Sequence, residues 1–420
     1  MKTPRILLAL VGALSISAFA TTSAESNTAT IAQPDASGQT FDGDLTFLRS
    51  HTEIIVLRDK KGTSQIAIAP AWQGRVMTST LDRGSGRSLG WVNRPLISSG
   101  HPAPHINAFG GEDRLWLGPE GGQFSVYFAA GVAFDYEHWF VPAPLDTQPF
   151  KTVDQSRDRA LFRATFPLTN YSGTQFEVTI EREVRLLDTR TAWSDLGVSA
   201  TDRVSLVAYE SKNSLVNAGK RPWTKETGLL SIWILGMFAP SPGVTIVAPI
   251  KPGPVSELGA TVTSNYFGDI PPGRLNVTEN AVFLKGDGKY RSKIGINPRR
   301  ALGKLGSYDA DYRVLSVVEF NQPDWVNDYV NSLWKIQQDP FGGDVINAYN
   351  DGPPKPGEKP LGPFFEMESS SPAAALAPNG RIEHVRRTFH ITGPEHELDN
   401  IARAVLGVSL KDIRNAFAEN

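Results

Sequence analysis

Apolar and polar side chains alternate along most of the chain from about Leu45, and the alternation is clearest between residues 175 and 187. In the segment QFEVTIEREVRLL, one face carries Phe176, Val178, Ile180, Val184 and Leu186, and the other carries Glu177, Thr179, Glu181, Glu183 and Arg185. A period of two predicts a half-buried strand of an antiparallel sheet. Because LFRATFPL and the turn residues TNYSGT come just before it, we expect this strand to be the second arm of a β-hairpin.

Similar strand patterns recur to the end of the chain. They are the segments TEIIVLRD, SQIAIAPAW, RVSLVAYES, GLLSIWILGMF, GVTIVAPI, AVFLKGDGKYRSKIGI, RVLSVVEF, FFEME and HVRRTFHI. Gly, Pro, Asn and Asp separate them, as turns require, and GDGKY, beginning at Gly286, is predicted to be a hairpin turn. There is no βαβ alternation and no fixed-period repeat. The pattern predicts an all-β protein with minor helices, folded as one large antiparallel β-sandwich.

Two segments interrupt the alternation with helical spacing. In QPDWVNDYVNSLWKIQ, an apolar stripe is formed by Val326, Tyr329, Val330, Leu333 and Trp334, and Pro323 stands near the start. In EHELDNIARAVLG, the stripe is formed by Leu398, Ile401, Val405 and Leu406, and Gly407 is a C-terminal stop signal. We expect both helices to pack against the sandwich.

The amino terminus predicts export. Residues 1–20 combine a basic start, an apolar run and a small-residue ending at Ala18 and Ala20, which is the pattern of a secretory signal peptide. The apolar run is shorter than the ~20 residues that span a bilayer, so no membrane insertion of the mature form is expected. Residues 21–42 are predicted to be a flexible leader, and residues 43–420 a single domain ending in a helix. With no cysteine in the chain, a periplasmic or secreted protein without disulfides is expected.

Charge and composition narrow the partners. The formal net charge is −2 with both signs interleaved, so no nucleic-acid partner is expected. The sequence does not predict an oligomeric state. The stretch NDGPPKPGEKPLGP, from Asn350 to Pro363, is a long Pro/Gly-rich loop inside the domain, and loops of this length are often functional.

The segment HINAFGGEDRLWLGPEGGQFSVYF, residues 105–128, is the main candidate site. Paired glycines at 110–111 and 121–122 permit tight backbone geometry. Its candidate substrate-binding residues are Glu112, Asp113, Arg114, Trp116 and Glu120. Arg114 offers a planar donor fork for a carboxylate or for vicinal hydroxyls, and Trp116 can stack on a sugar ring. The alternative is an internal ion-pair network around Arg114 that only fixes a strand crossover, with Trp116 in the core.

Other chemistries lack their signatures. His101, His105, Glu112 and Asp113 have metal-ligand side chains, but no HxH or HExxH spacing occurs, so no metal is expected, with calcium left as an alternative. There is no G-x-S-x-G element and no phosphate or dinucleotide loop. We therefore expect no cofactor.

Three segments together resemble a known family. AFGGEDRLWLGPEGG, YESKNSLVNAG and FFEMESSSP, in this order in a chain of many antiparallel strands, resemble the galactose mutarotase-like (aldose epimerase-like) supersandwich, and most of all an uncharacterised group of exported bacterial proteins. The resemblance implies a glutamate as general base, for which Glu366 or Glu368 is the counterpart. It also implies a histidine as general acid, but the matching segment has Lys212 and Asn213 and no histidine. Lys212 or His105 is the alternative donor.

Three functions remain open. They are an epimerase or mutarotase acting by acid/base catalysis, a polysaccharide lyase or glycoside hydrolase on the same scaffold, and a non-catalytic glycan-binding protein. All three have a saccharide ligand. Strand alternation places Glu366 and Glu368 on one face and Phe365 and Met367 on the other. We expect the GGEDR loop and the FFEME strand to meet on one face of the sandwich.

Overall fold

The computed structural model describes residues 39–199 and 202–418. The predicted signal peptide, residues 1–20, and most of the predicted leader lie outside the described residues, so both stay predictions. Phe41 and Asp42, which the sequence analysis assigned to the leader, are the first two residues of a helix. The ordered domain therefore begins slightly earlier than predicted.

Eighteen strands and seven short or medium helices make up the described chain. The strands are β1 Ile55–Arg58, β2 Gln65–Ala69, β3 Arg75–Thr80, β4 Arg114–Gly118, β5 Lys151–Gln155, β6 Arg159–Thr169, β7 Gln175–Leu186, β8 Ser205–Asn217, β9 Ser231–Phe238, β10 Val244–Pro249, β11 Leu275–Val277, β12 Ala281–Lys285, β13 Ser292–Ile296, β14 Lys304–Asp309, β15 Val314–Phe320, β16 Ile346–Asn350, β17 Phe365–Ser370 and β18 Arg381–Thr392. The helices are α1 Phe41–Arg49, α2 Arg94–Ser99, α3 Ala143–Asp146, α4 Thr189–Leu196, α5 Val255–Leu258, α6 Glu395–Leu406 and α7 Leu410–Arg414.

The strands form three sheets, and every pair of named strands is antiparallel. The largest has ten strands in the order β11-β12-β10-β14-β15-β18-β8-β7-β6-β5. The second has five, in the order β13-β16-β17-β9-β4. The third is the short sheet β1-β2-β3. The predicted all-β, antiparallel architecture is confirmed.

The predicted hairpin is the pair β6 and β7, which stay in register from Arg159 opposite Arg185 to Thr169 opposite Gln175. The apolar side chains predicted for one face of β7 are buried. Asn170 accepts a hydrogen bond from the backbone of Thr174 at 2.9 Å, which closes the turn. Alternation was a sufficient signal here because one face of the strand packs in the core and the other meets solvent.

The GDGKY turn does not close a hairpin, and that prediction was wrong. Strand β12, before the turn, pairs with β10 and β11, whereas β13, after it, pairs with β16 in the other sheet. The local turn chemistry was correctly recognised, because the Asp287 side chain accepts from the backbone of Lys289 at 3.1 Å. Which strand each arm pairs with is decided by packing of the two sheets, which local sequence does not specify.

The predicted helix over residues 322–337 is absent, and the segment is irregular. Tyr329 bonds through its backbone to Phe341 and Gly343, and the Gln337 side chain donates to the carbonyls of Asn331 and Leu333 at 3.0 and 2.8 Å. Asn, Asp and Ser side chains compete with helical hydrogen bonds, and they are frequent in this segment. Tertiary contacts therefore override the apolar spacing.

The second predicted helix is confirmed as α6, which ends at Gly407 in the left-handed conformation with φ 71°. Its apolar stripe and that of α7 pack on the ten-stranded sheet around Tyr308, Leu315 and Phe389. Helices α1 and α4 were not predicted. Each begins with a side-chain cap, from Thr40 and Asp188 respectively, a short-range signal that the dominant strand pattern obscured.

The five-stranded and ten-stranded sheets pack face to face. Leu115 and Ile234 of the smaller sheet join a buried apolar cluster with Ile180 and Tyr209 of the larger one. Helices α4, α6 and α7 cover the outer face of the larger sheet. The second face of the smaller sheet is covered only by loops, and these leave room for the cleft described next.

Candidate functional site

The floor of the cleft is one face of the five-stranded sheet. Antiparallel registers place the same-face residues in rows: Lys293, Tyr349, Glu366 and Met237 form one row, Glu368, Leu235 and Arg114 a second, and Trp233 and Trp116 a third. Residues opposite one another on neighbouring strands have Cβ atoms about 5 Å apart. Strand pairing therefore gathers three charged strand positions and three aromatic ones from five distant segments of sequence.

Loops complete the walls of the cleft. The lining loop residues are Ile106, Glu120, Tyr136, Trp139, Phe267, Arg291, Trp334, Leu361 and Phe364. The interior consists of two adjoining hollows of about 80 and about 130 Å³, which share Glu120, Arg291 and Lys293. The long loop after β16 supplies Leu361 and Phe364, so the Pro/Gly-rich stretch that stood out in the sequence does border the site.

Arg114 and Glu366 meet on this floor, as the sequence analysis expected of the GGEDR loop and the FFEME strand. Arg114 Nη2 donates to Glu366 Oε1 at 2.9 Å, and both side chains are almost fully buried. Burial raises the pKa of Glu366 to about 7, with the Arg114 guanidinium opposing this rise and the nearby Glu368 adding to it. Near neutral pH this carboxyl group can therefore both accept and release a proton.

Glu368 lies beside this pair and is fully buried. Its Oε2 accepts from Lys293 Nζ at 3.1 Å and from the Trp233 indole at 2.9 Å. Burial opposes the charged form of Lys293, but Glu368, Glu120 and Glu366 outweigh it, so the pKa of Lys293 is raised and the amine stays protonated. Glu368 thus holds Lys293 and Trp233 in place on the floor.

Glu120 enters the cleft from the loop after β4. The Cβ of any residue larger than glycine at the next position, Gly121, would lie 2.5 Å from the Leu333 carbonyl oxygen, so this glycine allows the loop to press against the segment that carries Trp334. Burial raises the pKa of Glu120, and hydrogen bonding with Trp334 and the charge of Lys293 oppose the rise. A carboxyl group of this kind can keep a proton to higher pH than an exposed glutamate.

Trp116 also lines the cleft, with only 3% of its surface exposed. The Arg114 guanidinium carbon lies 4.2 Å from its ring centroid, and Trp139 and Trp233 pack around it at 6.2 and 5.5 Å. Most of the indole is therefore committed to an aromatic cluster, and what it offers a ligand is one edge together with the fixed plane of Arg114.

His105 does not line either hollow. Its Nδ1 lies 2.8 Å from the carbonyl oxygen of Trp139, and its ring contacts Tyr136 and Phe140 at 4.6 and 4.5 Å. The sequence analysis named His105 as a catalytic candidate, but the structure places it behind the aromatic wall. Its position supports Trp139 and Tyr136 instead.

Glu112 and Asp113 lie between the two large sheets and are fully buried, away from the cleft. Asp113 pairs with Arg182 at 2.6 Å, and Glu112 accepts from Ser79 at 2.8 Å and from Tyr209 at 3.1 Å. This is the internal network that the sequence analysis kept as its alternative, although Arg114 is not part of it. The loop contributes Arg114, Trp116 and Glu120 to the cleft, and its other two carboxylates hold the sheets together.

Lys212 and Asn213 are likewise separate from the cleft. Lys212 is exposed on β8 and pairs with Glu383 at 3.1 Å. Asn213 is fully buried and accepts from Arg182 at 2.6 Å, which makes it part of the network between the sheets. The segment YESKNSLVNAG was matched by resemblance alone, and its strand belongs to the ten-stranded sheet, whose inner face is closed by packing.

Sequence reasoning missed several cleft residues, chiefly Arg291, Lys293, Trp233, Tyr349 and Trp334. Lys293 and Trp233 sit in the strands KIGI and SIWILGMF, where a lysine or tryptophan on an apolar strand reads as surface or core. Their shared role depends on the order β13-β16-β17-β9-β4, which local patterns do not reveal.

Within residues 39–199 and 202–418, no group of three or more His, Asp or Glu side chains is arranged to hold a metal ion. In the same ranges, no helix is long and apolar enough to span a membrane.

Fold and site together define an antiparallel β-sandwich protein with a charged, aromatic cleft on its smaller sheet. The chain belongs to a family of unknown function, DUF6786, which matches residues 39–417. A comparison with curated proteins found no match.

Similar solved structures are galactose mutarotase-like, as the sequence resemblance implied. They include the Slr1438 protein from Synechocystis sp. PCC 6803, with 12% identity and a TM-score of 0.48, covering 81% of this chain and 96% of that one. A putative aldose 1-epimerase from Escherichia coli K12 has 12% identity and a TM-score of 0.46, with coverages of 81% and 99%. A galactose mutarotase-like protein from Lactobacillus casei ATCC 334 has 11% identity and a TM-score of 0.42, with coverages of 80% and 100%.

Proposed function

We propose that the cleft binds a saccharide and transfers protons on it, in the manner of an epimerase or mutarotase. Aromatic side chains dominate the lining, with Trp116, Trp139, Trp233 and Trp334 among them. Pockets for small ligands combine such apolar surfaces with a few placed polar groups. A sugar ring suits this lining because its C–H faces can rest on indole rings while its hydroxyls meet the charged groups.

The observation that carries the proposal is the state of Glu366. Its pKa is about 7, and its Oε1 is fixed by Arg114. Among the described residues, Oε2 has no hydrogen-bond partner, and Glu366 borders the open hollow. A general base is most effective when its pKa lies near the working pH. Oε2 is therefore available to accept a proton from a sugar hydroxyl.

Glu120 is the proposed general acid, in place of the histidine that the family resemblance implied. It shares the hollow with Glu366, and burial favours its protonated form. For exchange of anomers, Glu366 takes the proton of the anomeric hydroxyl while Glu120 gives one to the ring oxygen, and the ring opens. Closure on the other face of the carbonyl returns both protons, so no net proton is consumed.

The test is to follow exchange of anomers by NMR on the purified protein with freshly dissolved single-anomer sugars. Glu366→Gln keeps the shape of the side chain but cannot accept a proton, and we expect the rate to fall by ~10²–10⁴. Glu319→Gln is the matched control, because Glu319 is a half-buried carboxylate paired with Lys304 on the other sheet. The control should keep its full rate.

The same assay separates the other readings of the cleft. Binding of a sugar with no exchange, and no effect of Glu366→Gln on any product, would make this a non-catalytic glycan-binding protein. Formation of an unsaturated sugar or of a shortened oligosaccharide, lost in Glu366→Gln, would instead support the lyase or hydrolase alternative.

A further inference from the structure

The charged groups of the cleft do not all pair with one another. Arg114 pairs with Glu366, and Lys293 pairs with Glu368. The remaining cation is Arg291, which borders both hollows. Its guanidinium carbon lies 3.9 Å from the ring centroid of Phe267, and no carboxylate of the described residues lies within ion-pair distance of it.

The second unpaired group is part of Arg114. This side chain is 2% exposed, and its Nε and Nη1 atoms are buried without a hydrogen-bond partner in the described structure. Leaving a buried donor unsatisfied costs about 1–3 kcal/mol, and more when the group is charged. The floor of the cleft therefore presents donors that require oxygen acceptors from outside the protein.

The carboxylates do not balance these cations near neutral pH. Burial raises the pKa of Glu120, and that of Glu366 lies at about 7, so both are partly or wholly protonated. Lys293 keeps its charge. Three cationic side chains thus face one fully ionised carboxylate, Glu368, and two carboxyls that carry less than a full charge.

We propose that the saccharide bound here is acidic, a uronic acid, and that Arg291 binds its carboxylate. This inference rests on the proposed function and adds the class of sugar. A planar guanidinium matches a carboxylate through two parallel hydrogen bonds. Phe267, stacked on Arg291, holds the guanidinium plane, while the unpaired donors of Arg114 take the ring hydroxyls. A single uncompensated guanidinium corresponds to the single negative charge of a uronate.

The experiment measures binding of matched sugar pairs by calorimetry at pH 7 and constant ionic strength. The pairs are galacturonate with galactose and glucuronate with glucose, and oligogalacturonate is added to distinguish a free monosaccharide from the end of a polymer. We expect one uronate to bind at least about tenfold more tightly than its neutral partner, since a charge-assisted bidentate pair contributes at least about 1.4 kcal/mol.

Arg291→Gln should remove this preference and leave the affinity for the neutral sugar nearly unchanged. Arg291→Lys keeps the charge without the planar fork, so part of the preference should remain. Arg299→Gln is the control: Arg299 is an exposed arginine that lines a different groove, beside Glu257, and its loss should change nothing.

Each outcome decides a different point. Equal affinity for the acidic and neutral sugars, or a preference that survives in Arg291→Gln, overturns the acidic ligand while the proposed function stands. If no sugar of either kind binds the wild-type protein, the proposed function fails as well. Tight binding of oligogalacturonate alone supports the inference and identifies a polymer as the source of the uronate.

Discussion

Two regions of this protein bury charged side chains, and they differ in how far the charges are satisfied. Between the two large sheets lies the interlayer cluster, formed by Glu112, Asp113, Arg182, Asn213 and Arg386. There Asp113 meets Arg182 at 2.6 Å, Ser211 at 2.9 Å and Arg386 at 3.7 Å, and the Arg386 Nη1 atom donates to backbone carbonyls of β9 and β17. These contacts tie the sheets together and leave no opening.

The cleft has the same residue types with fewer contacts. Glu366 has one protein donor, two donor atoms of Arg114 lack partners, and Arg291 has no carboxylate. A buried charge is tolerated when it is paired and hydrogen-bonded, and it otherwise shifts its pKa or waits for a ligand. The comparison indicates that incomplete satisfaction beside an open space, and not the presence of charge alone, separates a candidate site from a structural network.

The strongest test of this contrast removes one partner from the interlayer cluster. Arg182→Met leaves Asp113 buried with a single distant guanidinium, and we expect a loss of about 3–5 kcal/mol in the free energy of unfolding. Urea denaturation followed by tryptophan fluorescence measures it. Arg163→Met, an exposed arginine on the adjacent strand that lies 3.7 Å from Glu181, should cost less than about 1 kcal/mol. Similar losses in the two variants would contradict a structural role for the cluster.

A second change addresses the loop that borders the cleft. A Cβ at Gly362 would lie 2.1 Å from Cζ2 of Trp91, which packs on Phe364 at 4.7 Å. We expect Gly362→Ala to cost about 1–3 kcal/mol through overpacking and to weaken sugar binding as the loop moves. Gly219→Ala, where the nearest atom would be 3.3 Å away on a side chain, is the control for both denaturation and calorimetry. Unchanged binding with lowered stability would show that the loop does not shape the site.

The smallest expected effect concerns the stability of the cleft itself. Because the pKa of Glu366 is raised from 4.5 to about 7, the folded state binds more protons than the unfolded state between these values, and stability falls as pH rises through this window. Glu366→Gln mimics the protonated form. It should therefore be more stable than wild type by about 1–2 kcal/mol at pH 8, and the gain should vanish below about pH 5. A loss of stability at pH 8 would mean that Glu366 is a structural ion-pair partner like Asp113.

About the fold, the sequence determined the strand content, the hairpin of β6 and β7, and helix α6, because each follows from alternation, turn residues or a capped apolar stripe within a short stretch. Three members of the candidate site, Arg114, Trp116 and Glu120, were also within reach, since they stand together in one glycine-rich segment, and Glu366 and Glu368 followed from strand alternation and family resemblance. The residues of this segment looked alike in sequence, yet adjacent positions went to different regions: Asp113 to the interlayer cluster and Arg114 to the cleft.

Only the tertiary structure decided that division. Successive side chains of a strand point to opposite faces, so which carboxylate is sealed between sheets and which borders a ligand space depends on what covers each face. The irregular course of residues 322–337, the separation of β12 from β13, and the meeting of Lys293, Glu366 and Arg114 all depend on contacts between segments far apart in the chain. Local patterns carry no signal for such contacts, because their free energy arises from packing and pairing that exist only once the sheets have assembled.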